Sequence, residues 1–428
     1  MSNIPLIEQD ICVVPSFTLD CGTELKDAPV AYKTWGRLNE TRDNVMVICH
    51  ALTGSADVED WWGPLMGRNK AFDPSRYFIF CANTMGSPYG SASPITVNPD
   101  TGSLYGPAFP PTTIRDDVRI HQHVLRAHLG VRRVSVVIGG SMGGMAALEW
   151  PLIAPQDFVQ HIVVLATSAR HSAWCIAWGE AQRQSIYSDP GYCDGFYDVN
   201  AQPRSGLAAA RMSALLTYRS RDSFEQRFGR QVQQSLVSAP GIISPPPSPP
   251  PNAVDAHNDG HRTKESGSET PTRPPIFSAQ SYLRYQGQKF ISRFDANCYI
   301  HLTRKMDTHD LARGRFDSRA CSDPIAEVLA QLPKRALVIS IQSDGLFTPP
   351  EQKLIAAHIP DSELVVVASG EGHDGFLVEF EQINKHVLAF LHREFADFYT
   401  GDLADIEGDF APKKESLFGE AEVDLTRW

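Results

Sequence analysis

Along the chain, short runs of β-branched residues alternate with stretches whose apolar positions recur every three or four residues. Positions 12–36 predict two or three short strands, one of them over 31–36. Positions 44–50 predict a buried strand that opens directly into Ala51-Leu52-Thr53-Gly54. A further strand is predicted at 77–81, followed by a loop over 83–98 rich in Gly, Ser, Pro and Asn; loops of that length in compact domains often carry function. Helical spacing runs through Ile114, Val118, Ile120, Val124, Leu125 and Leu129, with Gly130 placed as a C-cap. A strand over 134–138 precedes helix formers at 146–150, and another strand follows at 161–166. Strand and helix alternating over 44–166 predict an α/β fold with a mostly parallel sheet covered on both faces.

The texture changes after position 166. Over 172–230 the pattern predicts helices, at 174–187 and 206–218, and no strand. Such a segment suits a helical cap over the strand ends, where ligands bind in open α/β sheets. Helix resumes at 278–290 and around 296–304, strands return at 335–341 and 363–367, and 379–395 reads as a closing amphipathic helix. The resulting division is a first core part over 1–170, a cap over 171–320, a second core part over 321–398, and an acidic tail over 399–428. Within the cap, positions from about 237 to 274 break the pattern. Ser244-Pro245-Pro246-Pro247-Ser248-Pro249-Pro250-Pro251 is a polyproline II stretch, and the polar run after it has too little apolar surface to offset its ordering entropy. A disordered surface insertion is expected there, with a ligand for a proline-recognising domain as the alternative. The tail either moves freely or packs through Leu417, Phe418 and Trp428.

Composition narrows the function classes. With 428 residues, 42% hydrophobic and 21% charged, the chain has the balance of a soluble enzyme. A net charge of −11 argues against a nucleic-acid-binding surface or an anionic membrane partner. No apolar run approaches the roughly 18 residues needed to span a bilayer. The first ten residues lack the basic and apolar regions of a secretory signal and the Arg-rich character of a transit peptide. Eight cysteines with no C-x-x-C pair fit reduced thiols in a cytoplasmic core, and neither a disulfide framework nor a metal site is expected.

The junction after the 134–138 strand carries the chemistry. Gly139-Gly140-Ser141-Met142-Gly143 matches the G-x-S-x-G nucleophile elbow in its strand–turn–helix setting. The serine of an elbow is strained, so the residues two before and two after it must be small. The turn also lifts its hydroxyl to a helix N-terminus, where an oxyanion is favoured. An idle serine in a Gly-rich turn is the alternative. A serine hydroxyl is a poor nucleophile without a base, so Ser141 requires a histidine oriented by a carboxylate, in the chain order Ser, acid, His. Asp344 lies just past the 335–341 strand, and His373 lies 29 residues on, in a Gly-rich loop just past the next strand. Asp344 also suits a turn residue that caps its own loop. The chain has 14 histidines, and His171, His257, His261 and His301 read as ordinary surface or satisfied ones. Backbone N–H groups of Leu52 and Met142 are the candidate oxyanion donors, against an ordinary strand-end turn at 51–54.

Beyond the elbow, the chain resembles the homoserine O-acetyltransferases of the α/β-hydrolase superfamily, in the fungal form. The resemblance rests on His50-Ala51-Leu52-Thr53-Gly54, Thr113-Ile114-Arg115-Asp116, Gly139-Gly140-Ser141-Met142-Gly143-Gly144-Met145 and Ala166-Thr167-Ser168-Ala169. It continues in Leu216-Thr217-Tyr218-Arg219-Ser220, Ser281-Tyr282-Leu283, Arg293-Phe294-Asp295-Ala296-Asn297-Cys298-Tyr299 and Gly372-His373-Asp374-Gly375-Phe376-Leu377. It implies an α/β-hydrolase fold and acetyl transfer from acetyl-CoA to the hydroxyl of L-homoserine in methionine synthesis. The implied route is ping-pong through an acyl-serine, with no bound cofactor, in a homodimer. It also implies that Arg211 and Asp374 bind the acceptor's carboxylate and ammonium, for which a guanidinium fork and a carboxylate are suited. Taken alone, Arg211 would be a cap-surface ion-pair residue and Asp374 a loop acceptor. Tyr218, seven residues after Arg211 on the same predicted helix, falls near its face and is a candidate pocket wall. Many family members carry Ala where this chain has Gly375, a change that fits the same tight space. Relatives that use serine, deacetylcephalosporin C or succinyl-CoA share the Ser-Asp-His set. A serine esterase and a scaffold organised around the Pro-rich segment are the competing readings.

Overall fold

The computed structural model describes residues 7–231, 257, 277–316 and 321–400. The polyproline stretch, most of the expected insertion and the acidic tail therefore lie outside the described residues. Eight strands form one sheet: β1 (Asp10–Thr18), β2 (Glu24–Trp35), β3 (Val45–Cys49), β4 (Phe78–Ala82), β5 (Val134–Gly140), β6 (Val159–Leu165), β7 (Leu337–Ile341) and β8 (Glu363–Val367), in the order β1-β2-β4-β3-β5-β6-β7-β8. The first two pairings, β1 with β2 and β2 with β4, are antiparallel, and the remaining five are parallel. Every residue of β3, β4, β5 and β7 is buried. That is what continuous apolar strands with helices on both faces require.

Among the described residues, twelve α-helices accompany the sheet: α1 (Val58–Trp62), α2 (Ile114–His123), α3 (Met142–Ile153), α4 (Ala173–Tyr187), α5 (Arg204–Tyr218), α6 (Arg221–Arg227), α7 (Ser278–Ile291), α8 (Ala296–Asp307), α9 (Pro324–Leu329), α10 (Pro349–His358), α11 (Gly375–Val378) and α12 (Phe380–Glu394). Two apolar clusters cover the two faces. One joins Val118 and Ile120 of α2, Met145 and Leu148 of α3 and Ile355 of α10. The other joins Trp62, Leu207 of α5, Phe290 of α7 and Val387 and Phe390 of α12. The α2 pattern behaves as its spacing implies, beginning with a capping box in which Thr113 and Asp116 serve each other's backbone N–H, and continuing through a π-turn over Val124–His128. Helices α4 to α8 all fall between β6 and β7 in sequence. Short α1, α9 and α11 were not predicted, since each spans too few residues for its spacing to show, and α10 was not because its apolar positions 354–357 run together without a helical period. Among the described residues, no helix is long and apolar enough to cross a membrane.

One buried ion pair joins that helical segment to α2 and the loop after β4. Lys305 of α8 is fully buried and donates to Asp117 Oδ2 of α2 and to the Met85 carbonyl, each at 2.6 Å. The other carboxylate oxygen accepts from Met85 N–H at 2.9 Å. The loop after β4 is thus gripped on both its backbone groups at Met85. Burial drives the Asp117 carboxyl up to about 6 even though Lys305 opposes the shift, and burial pulls the Lys305 ammonium down. Removing one partner strands the other charge, so Lys305→Met should lower stability by about 3–5 kcal/mol, while adding Asp117→Leu restores most of it. Urea unfolding of the three variants checks this; a neutral single substitution would contradict it.

Candidate active site

Six parallel strands deliver their following loops to one edge of the sheet, and the candidate residues gather there. At the end of β5, Ser141 takes φ 58° and ψ −127° immediately before α3. The packing explains the small neighbours. A Cβ on Gly139 would lie 2.1 Å from the Gly143 carbonyl oxygen, and one on Gly143 would lie 2.0 Å from the Cys49 carbonyl oxygen. No side chain fits in either place. The Ser141 backbone is held by its N–H donating to Leu165 O at 3.0 Å and its carbonyl accepting from Thr167 Oγ1 at 2.7 Å.

His373 Nε2 stands 2.9 Å from Ser141 Oγ, and His373 Nδ1 stands 2.7 Å from Asp344 Oδ2. All three side chains are buried. Asp344 does two jobs: its Oδ1 accepts from the N–H groups of Leu346 and Phe347, each at 2.9 Å, while Oδ2 faces the imidazole. The turn-capping alternative and the orienting role are therefore compatible. Burial acts to lower the His373 pKa, but the charge and hydrogen bond of Asp344, helped by Asp374 and Glu351, outweigh it and hold the imidazole above its ordinary value. Such a chain can draw a proton from the serine hydroxyl as it attacks a carbonyl.

A cleft opens over Ser141 and is lined in part by Leu52, Tyr218, His373 and Asp374. Leu52 and Thr53 come from the loop after β3, whose shape is set by two residues with no role expected from sequence. His50 Nε2 accepts from Thr84 N–H at 3.0 Å, which leaves the proton on Nδ1 to be donated to Ala51 O at 2.8 Å. Burial pushes that imidazole down to about 4, so it stays neutral. Arg293, between α7 and α8, donates to Thr53 O at 3.2 Å and to the Tyr89 hydroxyl at 2.8 Å. Met142 begins α3, and its side chain joins the core.

Arg211 is buried on α5, not at the surface, with its guanidinium 5.6 Å from the Tyr218 ring centre and 5.0 Å from that of Phe290. It does not itself line the cleft; Tyr218 does, with its ring 6.2 Å from that of His373. Asp374 pairs with Arg219, whose Nε lies 2.8 Å from Asp374 Oδ2. Arg219 is part of the Thr-Tyr-Arg-Ser motif, but nothing in its spacing linked it to position 374. The histidines set aside from sequence divide. His257 is exposed, and His301 is half-buried with Nε2 2.7 Å from Thr112 Oγ1. His261 lies outside the described residues. His171 corrects its reading: it is buried, lines the cleft, and burial pushes its imidazole down to about 3. Only the fold brings it there, so no local signal marked it.

Because the active imidazole is the neutral one, kcat/KM should fall as pH drops through the raised His373 pKa, with a midpoint above about 6.5. Asp344→Asn should move that midpoint down and cut the rate by about 10⁴-fold. A midpoint at or below 6.5 that this substitution leaves in place would contradict the assignment.

A family model described as alpha/beta hydrolase fold matches residues 44–380. A homoserine O-acetyltransferase from Cryptococcus neoformans is 51% identical over 510 aligned residues, covering 99% of this chain and 96% of the relative. That of Saccharomyces cerevisiae is 50% identical, covering 98% and 94%. Among solved structures, a homoserine O-acetyltransferase from Bacillus anthracis superposes with a TM-score of 0.74 at 21% identity, covering 91% of this chain and 99% of that one. Esterase E22 superposes with a TM-score of 0.73 at 24% identity, covering 90% and 99%. These two likenesses speak for the fold alone. The near-full-length relatives decide the family: the chain belongs to the homoserine O-acetyltransferases of the α/β-hydrolase fold.

Proposed function

We propose that this enzyme transfers the acetyl group of acetyl-CoA to the hydroxyl of L-homoserine through an acyl-Ser141 intermediate, as a step toward methionine. The observation that carries the reading is the hydrogen-bonded line from Asp344 through His373 to Ser141 at the floor of the cleft. His373 Nε2 takes the Ser141 proton as Oγ adds to the thioester carbonyl. The oxyanion is met by the backbone N–H groups of Leu52 and Met142. Collapse breaks the C–S bond, and His373 returns the proton to the departing CoA sulfur. The homoserine hydroxyl then gives its proton to His373 and attacks the acyl-serine, and collapse restores Ser141 with that proton. Asp344 orients the imidazole and stabilises its charged form. Asp374 meets the acceptor's ammonium and Tyr218 forms a wall of the cleft, while Arg211, beside the Tyr218 ring, directs its positive charge toward the acceptor's carboxylate.

The segment over 171–320 serves as a cap that limits water, which the acyl-serine must escape before the alcohol attacks. The same reading extends to a cytoplasmic homodimer, supported by the family resemblance. Acetyl-CoA consumption with and without acceptor tests the transfer. CoA release should rise at least about tenfold with L-homoserine and less with L-serine, and acetyl-CoA should outrun succinyl-CoA in kcat/KM. CoA release indifferent to homoserine would turn the reading toward an esterase.

A further inference from the structure

The loop that carries His373 is fastened to the joint between α5 and α6 by side chains and by backbone packing. Arg219 is buried and spans two carboxylates, with Nε 2.8 Å from Asp374 Oδ2 and Nη1 on Glu371. Ser223 Oγ donates to Glu371 Oε2 at 2.8 Å, and Ser220 Oγ donates to the Gly370 carbonyl. Between these ties the two backbones touch. Gly372 has φ 73°, and a Cβ there would lie 2.4 Å from Ser220 N. These contacts tie the loop to the joint, and α5 also carries Arg211 and Tyr218.

We infer that Arg219 is the positioning residue of the acceptor half of the reaction, holding the Asp374 carboxylate in place and aimed for the ammonium of a zwitterionic hydroxy amino acid. This rests on the transferase reading above. Asp374 is buried, its side chain only 6% exposed, and a carboxylate so placed needs a cation within reach to keep its charge. A guanidinium offers separate edges to two carboxylates in one rigid plane, which an ammonium does not. Arg211 and Arg219 against Glu371 and Asp374 make two positive and two negative groups. A zwitterionic acceptor entering among them leaves that balance unchanged.

Ping-pong kinetics separates this role from simple support of the loop. His373 serves both half-reactions and Asp374 only the second. A residue that merely holds the loop would weaken both halves together, whereas one acting through Asp374 weakens the second. The experiment measures kcat/KM for acetyl-CoA, and for L-homoserine and L-serine, in wild type, Arg219→Gln and Arg219→Lys. Parallel runs use 4-hydroxybutyrate, which lacks the ammonium. Arg219→Gln should lower kcat/KM for the amino acid by about 100-fold, mainly through KM, while that for acetyl-CoA changes less than about threefold. Its preference for homoserine over 4-hydroxybutyrate should collapse. Arg219→Lys, which keeps the charge and loses the fork, should recover about a tenth of the loss and covers the case in which the Gln variant fails to fold. Equal losses in both half-reactions, or an unchanged amino-acid kcat/KM in either variant, overturn the inference while leaving the transferase reading intact. A wild type whose CoA release ignores both hydroxy amino acids overturns the two together.

Discussion

Ser141 occupies a backbone conformation that costs a non-glycine residue on the order of 1–3 kcal/mol, and the surrounding sheet keeps it there. Gly143 lies so close to the Cys49 carbonyl that the start of α3 and the end of β3 are in backbone contact. That contact brings the loop at 51–54 beside Ser141. The parallel course of β6, β7 and β8 carries the later loops to the same edge. A side chain at either glycine would separate the elbow from β3 or from itself, and the hydroxyl would lose its place before any question of a base arises. The strain is thus maintained by the folded sheet and used to present Oγ.

Around this fixed point the helical segment after β6 is tied down by cations. Lys305 grips Met85 and Asp117, Arg293 reaches Thr53 O, and Arg219 reaches Asp374 and Glu371. Each is a long cationic side chain on or beside a helix of that segment, and each ends on a loop at the strand edge or on the helix beside it. Apolar contacts alone would hold the helices on the sheet without setting their register to within the few tenths of an ångström that acyl transfer needs. Directional, charge-assisted bonds supply that register. They also make the site sensitive to charge, because losing the Lys305 or Arg219 cation would leave the buried Asp117 or Asp374 carboxylate without its ion pair.

The parallel core was legible because its strands are continuous apolar runs and its longer helices show a clear period, as in α2 and α12. Ser141, Asp344 and His373 were readable for a topological reason: each follows a strand directly, and chain order restricts which strand. Arg211 was read only through resemblance, and its surface alternative failed because α5 turns that face inward. His171, His50 and Arg219 were not legible as site residues. Their partners lie far along the chain: Thr84 for His50, Asp374 for Arg219, and the whole cleft for His171. Local spacing carries no record of such long-range closures.

If Ser141 carries the acyl group between donor and acceptor, the acylated enzyme can be trapped. Mixing the enzyme with acetyl-CoA alone, quenching in acid and mapping peptides by mass spectrometry tests this directly. One acetyl group should appear on the peptide containing Ser141, vanish within a turnover when homoserine is added, and be absent from Ser141→Ala. Product formed at full rate with no acetyl group on that peptide at any time would contradict it.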